Sequence, residues 1–185
     1  FDAEEARRDS EYFKEMALRD PLTGLHNRRF MDPYLDDLLE QSRRNGQPVT
    51  AVLIDLDHFK EINDTLSHQV GDTVLVNVAK IMSLTAPSSS ALARIGGEEF
   101  LAVFKDTDAE LGMLYATRLC QAICSADWSP ITGSMSVTAS LGVSTTAGEQ
   151  LSRNELIAIA DRHLYEAKRT GRNRVIGCID KASHS

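Results

Sequence analysis

The run TAVLIDLD, residues 50–57, constrains the fold more than any other stretch of the chain. Successive side chains of a strand point to opposite faces, so the unbroken apolar segment from Ala51 to Ile54 is hydrophobic on both. Such a strand needs cover above and below and belongs in the middle of a sheet. Polar residues arrive only at its end, where Asp55 and Asp57, two apart, lie on one side.

The flanking sequence supplies the cover. Helical patterns are predicted at about 28–44, 59–66, 72–85, 108–125 and 153–170; DPLTGLHN (20–27) breaks the chain before the first and NGQP (45–48) closes it. ALARI and FLAVF flank GGEE as the arms of a hairpin, SVTASLGVS is a further strand, and RVIGC a short last one. Strands interleaved with helices, plus one hairpin, predict an α/β fold, an α+β sandwich built on a mixed sheet. Phe1 to about Arg19 is rich in helix formers, but Ala6, Phe13, Met16 and Ala17 make too thin an apolar face to be stable alone. That helix is expected to pack against a partner helix or to join an upstream domain. A chain opening on this charged run without an initiator methionine is expected to be part of a longer protein.

With 185 residues, 42% hydrophobic and 25% charged, the chain suits one globular domain with its own core. A formal charge of -7 argues against a nucleic-acid binder with a broad basic face, so any phosphate is expected to be met locally. Its apolar runs fall far short of the ~20 residues that cross a bilayer, and no secretory signal is visible, so the segment is expected to be soluble with no membrane contact of its own. Three cysteines, Cys120, Cys124 and Cys178, lack paired CxxC spacing and are expected to be reduced core thiols.

The stretch RIGGEEF, 94–100, sets two glycines before two adjacent acids. If the Asp55 strand neighbours the hairpin, Asp55 approaches Glu98 or Glu99. Three carboxylates at one sheet end are unfavourable unless a divalent cation compensates them, and oxygen-only ligands select a hard ion such as Mg²⁺. Plainer readings stand beside this one. Asp57 suits the N-cap of the helix that follows, and Asp55 suits a solvated strand end. Gly96 and Gly97 could supply the positive φ of a tight turn, and Asp72 could be an N-cap after Gly71. Asn63 reads as an ordinary polar helix residue. Lys168 and Arg172, four apart, are neighbours on one helical face if the helix reaches that far, and there they complement its C-terminal dipole.

RIGGEEF also resembles the signature of GGDEF domains, the diguanylate cyclases, in its GGEEF form. The resemblance runs from Asp20 to Cys178: DPLTGLHNRRF is similar to the family's opening motif, DLDHFKEINDTLSHQVGD to its metal and guanine segment, and SLGVS and ADRHLYEAKRTGRNRV to its closing ones. It implies a nucleotidyl-cyclase, ferredoxin-like fold with a largely antiparallel sheet. Residues 1–19 would be a linker or signalling helix, 20–180 the catalytic domain and 181–185 a tail.

The implied activity is condensation of two GTP into cyclic di-GMP with loss of two pyrophosphates. Each GTP is held by one subunit of a homodimer, and each 3′-hydroxyl attacks the facing α-phosphorus. By similarity, Asp55, Glu98 and the backbone carbonyl of Leu56 bind two Mg²⁺ ions, which Mn²⁺ is able to replace. Glu99 is the candidate base, and Asn63 and Asp72 match the guanine positions. Lys60, Lys168 and Arg172 match phosphate positions, with the backbone around Phe59, Lys60 and Gly97 close to the nucleotide. The implied setting is the cytoplasm, with an upstream sensory or regulatory domain in a parent protein that can itself be membrane-anchored. A GTP-binding regulatory module without turnover is the alternative; a domain that only passes on a signal through Phe1–Arg19 would not need these acids and bases.

Two departures stand out. The RxxD product site that many members carry before the signature corresponds to Pro87, Ser88, Ser89 and Ser90, which lack both charges, so product binding there is expected to be absent or weak. Ser67 replaces the glycine common before His68, with a modest backbone adjustment expected.

Overall fold

The computed structural model describes residues 2–148 and 151–178; the tail assigned to 181–185 lies outside the described residues. Five strands, β1 (Val49–Leu56), β2 (Ala91–Arg94), β3 (Glu99–Lys105), β4 (Ala139–Thr146) and β5 (Arg174–Ile176), form one sheet in the order β2-β3-β1-β4-β5. The β1–β3, β1–β4 and β2–β3 pairs are antiparallel and only β4–β5 is parallel, giving the mixed, largely antiparallel sheet that was expected. Among the described residues seven helices accompany it: α1 (Ala3–Met16), α2 (Arg28–Asn45), α3 (Phe59–Thr65), α4 (His68–Thr85), α5 (Ala109–Ser125), α6 (Ser129–Thr132) and α7 (Arg153–Arg169).

The apolar run does place β1 in the middle, with a core on each face. Val52, Ile54 and Leu56 join Phe100, Phe104 and Leu141 beneath Ile62 of α3, Val74 and Leu75 of α4, and Leu119 and Ile123 of α5. Val49, Ala51 and Leu53 join Leu101 and Val103 beneath Met31 and Leu35 of α2 and Leu156, Ala160 and Leu164 of α7. Each such large side chain contributes roughly 1.5–3 kcal/mol by leaving water, so both faces hold β1 in register. Gly142 lets α7 lie directly on β4, because a Cβ there would run into the backbone of Ala160 and Leu164.

Helix limits follow from caps. Asn27, Ser67, Asp108 and Ser152 each accept a backbone N–H at the head of α2, α4, α5 and α7, and Gly46, at φ 73, ends α2. Ser67 explains why α4 begins at His68 rather than near 72. Its Oγ accepts from the Val70 amide, which leaves Asp72 inside the helix rather than at its cap. At φ 177 Ser67 is extended, a conformation open to any residue, so the glycine it replaces is not needed. The short α6 was not foreseen from the sequence; Trp128, buried beside it, donates through Nε1 to the Ile123 carbonyl.

α1 buries no residue, and Tyr12, Phe13 and Met16 stay exposed, as its thin apolar face implied. Exposed pairs such as Arg7–Glu11 and Arg8–Glu4 add only ~0.3–0.5 kcal/mol each. Among the described residues no helix is long and apolar enough to cross a membrane. All three cysteines are free, but only Cys120 is buried; Cys124 and Cys178 are exposed, so the core-thiol expectation holds for one of them.

Candidate active site

The end of β1 meets the start of β3. Asp55 lies opposite Glu99, and the next amide, Leu56 N–H, donates to the Glu98 carbonyl at 3.2 Å. Asp55 is only 5% exposed, Glu98 is half-buried and Glu99 is exposed. From α7, Lys168 Nζ reaches to 3.0 Å from Asp55 Oδ2. Burial nevertheless pushes the Asp55 carboxyl up to about 6; the Lys168 hydrogen bond and charge pull it down, and the Glu98 and Glu99 charges add to the rise. One ammonium therefore faces three carboxylates, and the sheet end keeps an excess of negative charge.

That excess, offered by oxygen atoms alone, suits a hard divalent cation. Among the described residues no three His, Cys, Asp or Glu side chains are gathered into a ready-made cage, and the cation facing Asp55 is Lys168. The donor set fits Mg²⁺ in chemistry, with Asp55 and Glu98 brought to one corner by β1 and β3.

A cavity of about 490 Å³ opens beside that corner. Of the residues singled out in the sequence, Phe59, Lys60, Asn63, Asp72, Gly97 and Glu98 line it. Asn63 comes from α3 and Asp72 from α4, and Gly71 lets the two approach: a Cβ at 71 would run into Asn63 Oδ1 and stand 3.2 Å from the Phe59 ring. Phe59 is 8% exposed and belongs to the core, while it also borders the cavity. Its amide and that of Lys60 open α3 and donate to no group among the described residues.

Four expectations are corrected. Asp57 does not cap α3; His58, at φ 54, takes that position without a side-chain bond, and the Asp57 carboxylate instead accepts from Thr138, Ser140 and Asn173. Gly96 and Gly97 do not have positive φ. At Gly96 a Cβ would stand 3.1 Å from Glu99 Oε2, a tight fit that a small shift of this exposed side chain relieves, whereas Gly97 has open space around it. Arg172 is not on the helical face of Lys168, because α7 ends at Arg169 and Arg172 sits in a turn at φ 63. Asp72, as described, is not an N-cap.

Sequence reasoning gave no role to Arg94 or Asp20. Arg94 donates through Nε and Nη2 to the Gly97 carbonyl, at 3.1 and 2.8 Å, and its Nη1 lies 3.2 Å from Asp20 Oδ1. Thr23 also donates to Asp20 through its amide and hydroxyl. Burial works against the ionised Asp20 carboxyl, but the Thr23 and Arg94 bonds outweigh it and hold the group below the usual carboxylate range. The DPLTG loop thereby clamps the turn that carries Glu98. A D-x-x-T pattern, which favours a local side-chain turn, was the available signal for the Asp20 half.

Residues 17–174 match the family described as "Diguanylate cyclase, GGDEF domain". The response regulator PleD of Caulobacter vibrioides is 39% identical over 173 residues, covering 92% of this chain and 38% of PleD. The probable diguanylate cyclase DgcT of Escherichia coli is 37% identical over 166 residues, covering 88% of this chain and 36% of DgcT. The chain thus spans well under half the length of these relatives. Of solved structures, the coiled coil and GGDEF domain of DgcB from Caulobacter crescentus, in complex with c-di-GMP, matches with a TM-score of 0.88 at 30% identity, covering 95% of this chain and 93% of that one. The active GGEEF domain of a diguanylate cyclase from Vibrio cholerae matches at 0.77 and 29%, covering 84% and 98%. The chain belongs to the GGDEF family.

Proposed function

We propose that residues 20–180 form the catalytic domain of a diguanylate cyclase, joining two GTP into cyclic di-GMP and releasing two pyrophosphates. Family membership supports the class of reaction. The observation that carries the reading is Asp55, buried at the end of β1 with Glu98 and Glu99 adding to its charge, next to the cavity that holds Asn63 and Asp72.

Asp72 accepts from guanine N1–H and the exocyclic amine, and Asn63 both donates and accepts, a pairing that adenine cannot satisfy. Lys60, Lys168 and Arg172 meet the β- and γ-phosphates, helped by the free amides of Phe59 and Lys60, and the exposed backbone at Gly97 leaves room for the nucleotide. Asp55, Glu98 and the Leu56 carbonyl would hold Mg²⁺, two ions by family likeness or Mn²⁺ in their place, which when bound stabilises charge on the phosphoryl oxygens and makes the hydroxyl more acidic. Glu99, exposed beside the corner, takes the 3′-hydroxyl proton as the oxygen forms its bond to the facing α-phosphorus and pyrophosphate leaves. The facing nucleotide belongs to a second copy of the domain. α1, with Tyr12, Phe13 and Met16 uncovered, is the linker helix toward a partner helix or an upstream regulatory domain. The Pro87–Ser90 turn offers product neither an arginine nor an aspartate, so product binding by that route is expected to be absent or much weakened.

Incubation with GTP and Mg²⁺ followed by product analysis tests this. Cyclic di-GMP is expected; tight GTP binding without turnover would favour the regulatory module instead, and neither binding nor turnover would overturn both. Total activity should rise more than linearly with protein concentration where dimers dissociate; activity strictly proportional to concentration there, a constant specific activity, would contradict the shared site.

A further inference from the structure

The two aspartates of DLD have unlike surroundings, and Asp57 has no part in the reaction proposed above. It is 4% exposed, and both of its oxygens are already engaged: Oδ1 accepts from Ser140 Oγ at 2.7 Å, and Oδ2 accepts from Thr138 Oγ1 at 2.8 Å and from the Asn173 amide at 3.0 Å. A buried carboxylate with three donors is fully used and has little left for a metal ion.

Its third donor is the unusual one. Gly171, Arg172 and Asn173 follow α7 in succession with φ of 135, 63 and 46. Left-handed backbone is unfavourable for a non-glycine residue, though less so for asparagine, so two in a row persist only where the surroundings impose them. The restraints are local: Arg172 N–H to the Ala167 carbonyl at 2.9 Å, Arg174 Nε to the Arg172 carbonyl at 3.0 Å, and weak contacts of the Asn173 amide group with Cys120 and Cys124 on α5. The charged restraint, tying the turn to the strand that carries Asp55, is the Asp57 carboxylate.

We propose that Asp57 is a positioning residue: through the Asn173 amide it holds the 171–173 turn in its left-handed form and so presents Arg172 to the terminal phosphates of the nucleotide. The inference rests on the reading of Arg172 as a phosphate ligand. The DLD motif then divides its labour, with Asp55 facing the reacting groups and Asp57 fixing the chain that grips the phosphates.

Calorimetric binding of GMP and of a GTP analogue with a methylene bridge between the α- and β-phosphorus, both with Mg²⁺, separates the possibilities, because GMP has no β- or γ-phosphate to lose. The unmutated chain should prefer the analogue, and Arg172→Ala should cut that preference roughly tenfold, as expected for loss of a charged hydrogen bond. Asp57→Ala should cut it similarly with GMP affinity unchanged, and the double variant should be no weaker than Arg172→Ala alone. Asp57→Asn should keep the preference, since its amide oxygen accepts from Asn173 and Thr138 while its NH₂ donates to Ser140 Oγ. A preference lost in Arg172→Ala but intact in Asp57→Ala overturns the inference alone, as does an equal loss of GMP and analogue binding or a further loss in the double variant. A preference that Arg172→Ala leaves untouched overturns the phosphate assignment on which it rests. Should Asp57→Ala fail to fold, hydrogen exchange on the unmutated chain decides: an Asn173 amide exchanging as fast as an open loop overturns the anchor, and a protected one upholds it.

Discussion

The two ends of β1 each bury a polar side chain, and they satisfy it in opposite ways. At one end Thr50, fully buried, donates through Oγ1 to the Thr107 carbonyl at 2.8 Å and lies 2.7 Å from Thr145 Oγ1. Gly112 makes room for it, since a Cβ there would stand 2.6 Å from the threonine methyl. The Thr50 hydroxyl and both of its partners are neutral, and it is paired with each. At the other end Asp55 is buried as a charge, with one ammonium beside it and two further carboxylates near by. Its folded-state pKa, about 6 against an ordinary 3.8, means that the folded chain binds this proton more tightly than the unfolded chain does. Stability is therefore lost as pH rises from about 3.8 to about 6, by an amount on the order of 3 kcal/mol. One end of the strand serves the fold; the other is held at the fold's expense, in keeping with the role proposed for Asp55.

The contrast breaks most visibly at Asp55. Asp55→Asn should lower cyclic di-GMP formation roughly 10³-fold, the several kcal/mol that metal-assisted charge stabilisation is worth, and a loss below about tenfold would remove the aspartate from the reaction. The same variant should resist urea better than the unmutated chain at pH 7.5 in chelator, by up to about 3 kcal/mol, with the gain shrinking as pH falls from 6 toward 4. A variant no more stable at pH 7.5 would mean that Lys168 fully compensates the charge.

Next in size is the base pocket. Asp72→Ala should reduce discrimination of GTP over ATP in competition binding by about ten- to a hundredfold, corresponding to ~1.5–3 kcal/mol for hydrogen bonds to a charged group. Equal affinities for the two nucleotides in the unmutated chain would overturn the guanine assignment. Gly71→Ala should raise the KM for GTP several-fold, by about 1 kcal/mol or more, because its methyl displaces Asn63. The smallest effect on turnover is expected at the neutral end. Thr50→Val should cost about 1–2 kcal/mol of unfolding free energy, by leaving the Thr107 carbonyl without its donor, and leave specific activity unchanged. A fall in activity would show that the two ends are not independent.

How much of this was legible in the sequence depends on the range of the forces involved. The apolar run at 51–54 placed the central strand, and the ALARI–FLAVF hairpin and most helix limits followed from periodicity and punctuation, because those signals are local. The acids of GGEE and DLD could be brought together on paper because one alternation and one hairpin suffice. Asp57 was misread as a cap because its partners, Thr138 and Asn173, lie 81 and 116 residues away. Arg94 and Asp20, 74 apart, were missed for the same reason. The positive φ read for Gly96 and Gly97 and the helical face shared by Lys168 and Arg172 failed because residue type does not fix the shape of a bend or the last residue of a helix, here Arg169.

Asp55 stands near the end of the central strand, which is hydrogen-bonded along both edges and roofed on both sides. It cannot follow a substrate. Glu98 hangs from a hairpin bend, and Arg172 from a bend leading into the outermost strand, so accommodation has to come from the rim while the centre keeps still. On the proposed reading, retuning this scaffold toward a different nucleotide means redrawing Asn63 and Asp72 on the flanking helices and leaving the central post alone.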